Sequence, residues 1–72
     1  MLHAGKLIED TLREEGRTVT WFAAQMHCTR THIYKIFQKE TLDIHLLWRA
    51  SRVLNRDLFQ PFSEKLGEDQ PV

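Results

Sequence analysis

The sequence has little of what would stabilise a fold without a packed core. Cys28 is the only cysteine, so no internal disulfide can form, and a lone thiol is typical of a reducing, cytoplasmic compartment. The longest apolar run, from Trp21 to Ala24, has four residues, whereas a membrane-spanning helix needs about 20. The N-terminus lacks a basic flank followed by an apolar block, so neither a membrane segment nor a signal peptide is predicted.

Strand signals are also scarce. No segment alternates apolar and polar residues between turn signals, and the chain has only three glycines and two prolines. A length of 72 residues allows one domain with one small core. We therefore predict a compact all-α domain over residues 1–66, and we expect the polar residues 67–72 to form a disordered tail.

The charges are balanced in total but unevenly placed. Ten basic residues match ten acidic residues, so the formal net charge is zero. Residues 1–16 and 58–72 each carry −2, whereas residues 17–40 carry +3 and residues 41–57 carry +1. A phosphate surface responds to charge within a Debye length of about 8–10 Å more than to the total. The zero total argues against a nucleic-acid partner, and the basic centre argues for one.

Five segments repeat apolar residues at helical spacing. The first predicted helix runs from about Ala4 to Glu15 and ends at Gly16, which suits the left-handed conformation that follows many helices. The second and third helices are predicted to begin at the capping hydroxyls of Thr18 and Thr29.

Two further helices complete the prediction. The third helix ends at about Gln38, and the fourth runs from the cap Asp43 to Leu54, with Asn55 at its end. A short last helix has Pro61 in its first turn and Gly67 at its close. Its apolar residues are Leu58, Phe59, Phe62 and Leu66.

Only the four residues from Met26 to Thr29 separate the second helix from the third. So short a link forces the two helices to cross steeply, as in a helix-turn-helix unit. That unit needs a small residue where the helices approach, here Ala23, and a modest apolar residue in the turn, here Cys28. Phe22, Met26, Ile33 and Ile36 fill the angle between the helices. The positions left outside the core are Arg30, Thr31, Tyr34, Lys35 and Gln38.

The stretch TVTWFAAQMHCTRTHIYKIFQKE resembles the helix-turn-helix of the lambda-repressor/Cro class, also called XRE-like. The resemblance covers about residues 5–66 and includes the order of all five helices. Three positions depart from the family pattern. His27 stands where glycine is usual and must tolerate a positive φ, which His does better than most residues. Phe37 replaces a glutamate that pairs with an arginine of the first helix, and Val19 replaces a glutamine that contacts a phosphate.

The resemblance implies a small transcriptional regulator that binds double-stranded DNA in a sequence-specific manner, with the third helix in the major groove. It also implies a homodimer that acts in the cytoplasm, without a cofactor or a small-molecule ligand. The residues expected to contact bases are Thr29, Arg30, Thr31, Tyr34 and Lys35. Those expected to contact phosphates are Arg17, Thr18, Thr20, Gln38 and Lys39.

Several residues have simpler interpretations. Thr29 can be only a helix cap, Arg30 and Lys35 can be a solvated face, and Tyr34 can pack along the fourth helix. His27, Cys28 and His32 lack the fourth ligand of a structural zinc site, so no metal is predicted. No pocket or activated nucleophile is evident, so no enzyme is predicted.

The fourth helix is apolar on most of its sides, which requires cover on most of its sides. Either the last helix provides all of that cover, or part of it is a dimer interface that includes Phe59, Phe62 and Leu66. Trp21 is predicted to pack on the first helix or to meet a partner. The alternative function is a protein-interaction module on the same fold, such as an antitoxin or an adaptor, with weak or no DNA binding.

Overall fold

In the computed structural model, which describes residues 2–69, the chain folds into five α-helices, and no strand occurs in this range. The helices are α1 (Ala4–Glu14), α2 (Val19–Gln25), α3 (Arg30–Phe37), α4 (Ile44–Leu54) and α5 (Gln60–Asp69). The all-α prediction is therefore confirmed, with helices in the predicted order. None of the described helices is long and apolar enough to cross a membrane.

Side-chain caps fix where the helices begin. Thr18, Thr29 and Asp43 each accept a hydrogen bond from the backbone N–H three residues later, at 2.8 to 3.1 Å. These are the three predicted caps, and each is worth about 1 kcal/mol of helix stability. At the start of α1, Nδ1 of His3 accepts a hydrogen bond from the N–H of Lys6 at 3.0 Å, a cap that the sequence did not suggest.

Left-handed residues end three of the helices. Gly16, His27 and Asn55 have φ values of 69°, 58° and 53°. In each case this residue and the next donate their N–H groups back to carbonyls of the last helical turn, which is the Schellman arrangement. The predicted helix ends at Gly16 and Asn55, and the predicted positive φ of His27, are confirmed.

One small core joins the first four helices. α2 packs against α3, and α1 packs against both α3 and α4. Phe22, Ile8, Ile33 and Ile36 are the largest fully buried side chains. The rest of the core cluster consists of Leu12, Ala23, Met26, Phe37, Leu47, Ala50, Leu54 and Leu58.

The start of α1 is held against the end of α3. The N–H groups of Ala4 and Gly5 donate to the carbonyls of Glu40 and Lys39, both at 2.9 Å. Gly5 is needed at this contact, because a Cβ atom there would lie 2.6 Å from the carbonyl oxygen of Phe37 and 2.7 Å from that of Lys39. The last turn of α3 is thereby anchored to α1.

The C-terminal helix is longer than predicted. α5 continues through Gly67 to Asp69, so the prediction that Gly67 closes the helix is wrong, and residues 67–69 are helical rather than part of a disordered tail. Gly67 does not take a positive φ, unlike Gly16, and a glycine without that conformation does not terminate a helix. Residues 70–72, also assigned to the tail, lie outside the described residues.

Candidate nucleic-acid interface

The turn between α2 and α3 determines how α3 is presented. The N–H groups of His27 and Cys28 donate to the carbonyls of Ala24 and Ala23 at 3.2 and 3.0 Å. Cys28 is half-buried and packs against the core. These contacts close α2 within the link, so that Thr29 can start α3 immediately afterwards.

The two sides of α3 differ sharply. Ile33, Ile36 and Phe37 face the core and are buried. The opposite side is exposed from the cap of the helix to its C-terminal end. It carries all five residues predicted to contact bases, namely Thr29, Arg30, Thr31, Tyr34 and Lys35, together with Gln38.

The outer side of α3 keeps its positive charge. α3 contains no acidic residue, and no salt bridge in residues 2–69 involves Arg30, Lys35 or Lys39. The three cations are exposed. An anion approaching this side therefore meets cations whose charge is not neutralised by a carboxylate of the same surface.

Thr29 and Thr18 are engaged as helix caps. Their hydroxyl oxygens accept hydrogen bonds from the N–H groups of His32 and Trp21, at 3.1 and 3.0 Å. A hydroxyl that accepts in this way still has a proton to donate, so a cap and a contact to an external acceptor are compatible. Thr20, in the first turn of α2, is exposed.

Tyr34 is half-exposed, with 51% of its surface accessible. Its ring makes an edge-to-face contact with Phe37, with centroids 6.1 Å apart and planes at 84°. It lines a cleft with Glu9 and Arg13 of α1, with Arg17 of the link that follows α1, and with Val19 at the start of α2. No residue of α4 lines that cleft.

Arg17 is placed beside this surface by an aromatic ring. Its guanidinium carbon lies 4.5 Å from the centroid of the Trp21 ring, a cation–π contact worth about 0.5–1 kcal/mol at an exposed site. Trp21 is half-buried against the core and lines a cleft with Val53 and Leu54. The ring thus faces a cleft at the end of α4 and contacts one of the predicted phosphate-contacting cations.

Two arginines have structural roles that the sequence did not indicate. Arg49, on α4, donates from Nη2 to the carbonyl of Met26 at 2.9 Å. Arg56 donates to carboxylates of Glu15 and Glu14 at 2.8 and 3.1 Å. The hydrogen bond to Glu15, followed by that to Glu14, raises the pKa of Arg56 above its ordinary value. Arg56 was counted in the basic centre, but these carboxylates neutralise its charge.

The face of α4 is only partly covered. Leu47, Ala50 and Leu54 are buried, whereas Ile44 is 75% and Trp48 is 46% exposed. The Trp48 ring stacks on His45, with centroids 5.8 Å apart, and the guanidinium carbon of Arg52 lies 5.1 Å from its centroid. The last helix therefore does not provide all the cover that the sequence pattern requires.

Metal ligands do not converge in the described residues. No group of three or more His, Cys, Asp or Glu side chains in residues 2–69 is arranged to hold a metal ion. His27, Cys28 and His32 are close in sequence, but they do not form such a group. The chemistry on this side of the molecule is therefore that of exposed cations, hydroxyls and one phenol.

Comparison with known proteins finds no matching family model, no matching curated protein and no matching solved structure.

Proposed function

We propose that the protein is a small sequence-specific regulator that binds double-stranded DNA, with α2 and α3 forming a helix-turn-helix of the lambda-repressor/Cro-like type. The observation that carries this proposal is the outer side of α3. It presents Arg30, Thr31, Tyr34 and Lys35 together, all exposed, with no acidic residue on the helix. The opposite side of the same helix is buried in the core, which gives the exposed side a rigid support.

The dimensions of α3 suit the major groove. An α-helix with its side chains is about 10–12 Å in diameter, and the major groove is about 12 Å wide and admits one α-helix. Arg30 follows the cap directly, at the end of the helix that would enter first. Its planar guanidinium can bind O6 and N7 of guanine together, which discriminates against other bases by about 1–3 kcal/mol.

The remaining contacts follow from chemistry and position. Thr31 offers a hydroxyl to a base edge or a methyl group to thymine, and Tyr34 offers an apolar ring and a phenolic donor. Lys35 offers an ammonium donor to a base edge, and Lys39 and Arg17 would contact phosphates. Thr18, Thr20 and Gln38 are the uncharged residues proposed to bind the backbone.

The regulator would act as a homodimer. Trp48 and Phe59 line the same cleft, and the apolar positions Phe59, Phe62 and Leu66 of the last helical segment recur at helical spacing. Leu66 is 61% exposed, so this strip is not fully covered within one chain. A two-fold dimer of such domains favours an inverted repeat with half-sites about one helical turn apart, ~34 Å.

Selection from a random duplex library tests the proposal. The wild-type chain should enrich a short inverted repeat, and Arg30→Ala should lose preference at one position in each half-site, because the bidentate contact is gone. Arg30→Lys keeps the charge but not the planar fork, so it should retain affinity for random duplex and still lose that preference. Lys65→Ala, on α5, is the control and should select the wild-type site.

The outcome that contradicts DNA binding is equally clear. If the wild-type chain enriches no sequence and binds duplex weakly at all salt concentrations, the proposal is wrong. A duplex-binding protein must instead lose affinity linearly in a log–log plot against salt, with a slope of about −0.9 for each phosphate contacted.

A second candidate function is a protein-interaction module on the same fold. It is favoured by the exposed Trp48 ring and by the cleft beside it, whose lining includes His27, Arg49 and Arg52 and no acidic residue. That composition suits a protein partner with an apolar anchor among acidic residues. Duplex binding that is insensitive to Arg30→Ala would favour this candidate.

A further inference from the structure

We infer that Arg49 is a positioning residue for the proposed recognition helix α3: from α4 it holds the carbonyl that ends α2 and so sets the direction in which α3 leaves the turn. The expected effect of Arg49 on DNA binding rests on the proposed function. The position of Arg49 at the turn rests on one hydrogen bond. Nη2 of Arg49 lies 2.9 Å from the carbonyl oxygen of Met26, in a partly buried environment and across 23 residues of sequence.

The Met26 carbonyl needs a partner from outside α2. The last carbonyls of a helix have no N–H partners within it. Here the N–H groups of His27 and Cys28 donate to the carbonyls of Ala24 and Ala23. Met26 comes later in the chain than either of these acceptors. The guanidinium is a charged donor, which makes a stronger hydrogen bond than a neutral group does.

Arg49 reaches the turn from a fixed support. Its neighbour Ala50 is fully buried, and Leu47 on the same helix is 6% exposed. The packing of α4 in the core therefore fixes the position of the Arg49 backbone. The closest helix packing is of α2 on α3 and of α1 on α3 and α4. The Arg49 hydrogen bond therefore adds a direct polar link between α4 and the turn.

The turn contains one residue in an unusual backbone conformation. His27 is exposed and has a φ of 58°, a conformation that a residue with a Cβ atom adopts only when its surroundings favour it. Arg30 follows Met26 by four positions. A turn that relaxes after loss of the Arg49 hydrogen bond would therefore reorient the first turn of α3, where base contact is proposed, while the core remains folded.

A direct phosphate contact by Arg49 would produce a different pattern. Removing a phosphate contact weakens binding to all sequences alike and reduces the salt slope by about 0.9. Removing a positioning contact weakens binding to the selected site and leaves the slope and random-duplex affinity unchanged.

The test compares Arg49→Met and Arg49→Lys with the control Lys6→Met, which removes an exposed cation of α1. Affinity for the selected duplex and for random duplex is measured over a range of salt concentrations. Without DNA, amide hydrogen exchange of His27 and Cys28 is followed by NMR. Thermal melting checks that every variant is folded. If Arg49→Met does not fold, the comparison is made with Arg49→Lys.

For Arg49→Met, we expect about a tenfold loss of affinity for the selected site, as for a hydrogen bond from a charged donor, with an unchanged salt slope. The amides of His27 and Cys28 should exchange faster than those of the core. Arg49→Lys, which keeps a charged donor, should recover part of both effects, and Lys6→Met should show neither.

Two results would overturn the inference. A reduced salt slope with unchanged exchange at the turn would make Arg49 a phosphate contact, and unchanged affinity and exchange would make it a bystander. If the wild-type chain binds no duplex, the proposed function fails. The exchange measurement then decides by itself whether Arg49 holds the turn.

Discussion

Individual residues determine mainly where the helices begin and end. Thr18, Thr29 and Asp43 start helices with a side-chain oxygen, and His27 and Asn55 end them in the left-handed conformation. These local interactions were predictable because each involves residues at most a few positions apart. His27 was the least obvious, since glycine is the usual residue where φ is positive.

The backbone of His27 gives a stability prediction. His27→Val should lower the free energy of unfolding by about 1–2 kcal/mol, because a β-branched side chain is disfavoured at positive φ. His27→Gly should change it by less than about 1 kcal/mol, since relief of strain is offset by the greater freedom of glycine in the unfolded chain. Urea denaturation at constant m-value measures both. Equal stability of His27→Val and wild type would show that the turn does not constrain this residue.

The pairing of individual charged residues could not be predicted. Arg56 binds two carboxylates that precede it by 41 and 42 residues, and Arg49 binds a carbonyl 23 residues away. No local spacing connects such residues. Only the packing of α1, α4 and the turn brings them within 3.1 Å of each other.

At the scale of helices, the contact between α1 and α3 supports the proposed recognition surface. The carbonyls of Lys39 and Glu40, just after α3, accept hydrogen bonds from the first N–H groups of α1. The apolar stripe of α1 was evident in the sequence. The close backbone approach at Gly5 could not be predicted, because the residues next to a glycine do not indicate which helix packs against it.

This contact predicts the effect of a single methyl group. Gly5→Ala should destabilise the fold by about 1–3 kcal/mol, as overpacking does in a close-packed interior, although alanine is the better helix former. For a domain of this size, the melting temperature should fall by about 4–8 °C for each kcal/mol. Gly67→Ala is the matched control, since no atom lies within 4 Å of a Cβ atom there. It should leave stability unchanged or raise it. A normal melting temperature for Gly5→Ala would mean that the α1–α3 backbone contact is looser than described.

At the scale of the whole molecule, the shape is elongated. The described chain measures about 44 × 20 × 20 Å, and residues 63–68 of α5 are all exposed. A contiguous exposed apolar patch rimmed by polar residues marks an interaction site. The strip through Trp48, Phe59, Phe62 and Leu66 is the surface at which we propose that two copies meet.

Self-association and operator binding should therefore change together. Leu66→Glu should weaken dimerisation by at least about tenfold, because it places a charge in the apolar strip. It should also reduce affinity for the inverted repeat without changing affinity for a single half-site. Glu64→Gln, on the opposite side of α5, is the control. Analytical ultracentrifugation measures the dimer, and duplexes with one or two half-sites measure the binding. A wild-type chain that is monomeric at high concentration and on its operator would contradict the homodimer.

The sequence by itself determined the helices, most of their ends and the large buried side chains of α2 and α3, because helical periodicity, capping and left-handed residues act within a few positions of the chain. It did not determine the length of α5, since Gly67 can stop or continue a helix according to its backbone conformation. Only the tertiary structure decided which arginine supports the turn, which one is neutralised by α1, and that Trp48 remains exposed. Those outcomes depend on how helices distant in sequence approach one another, and that is a property of the assembled core.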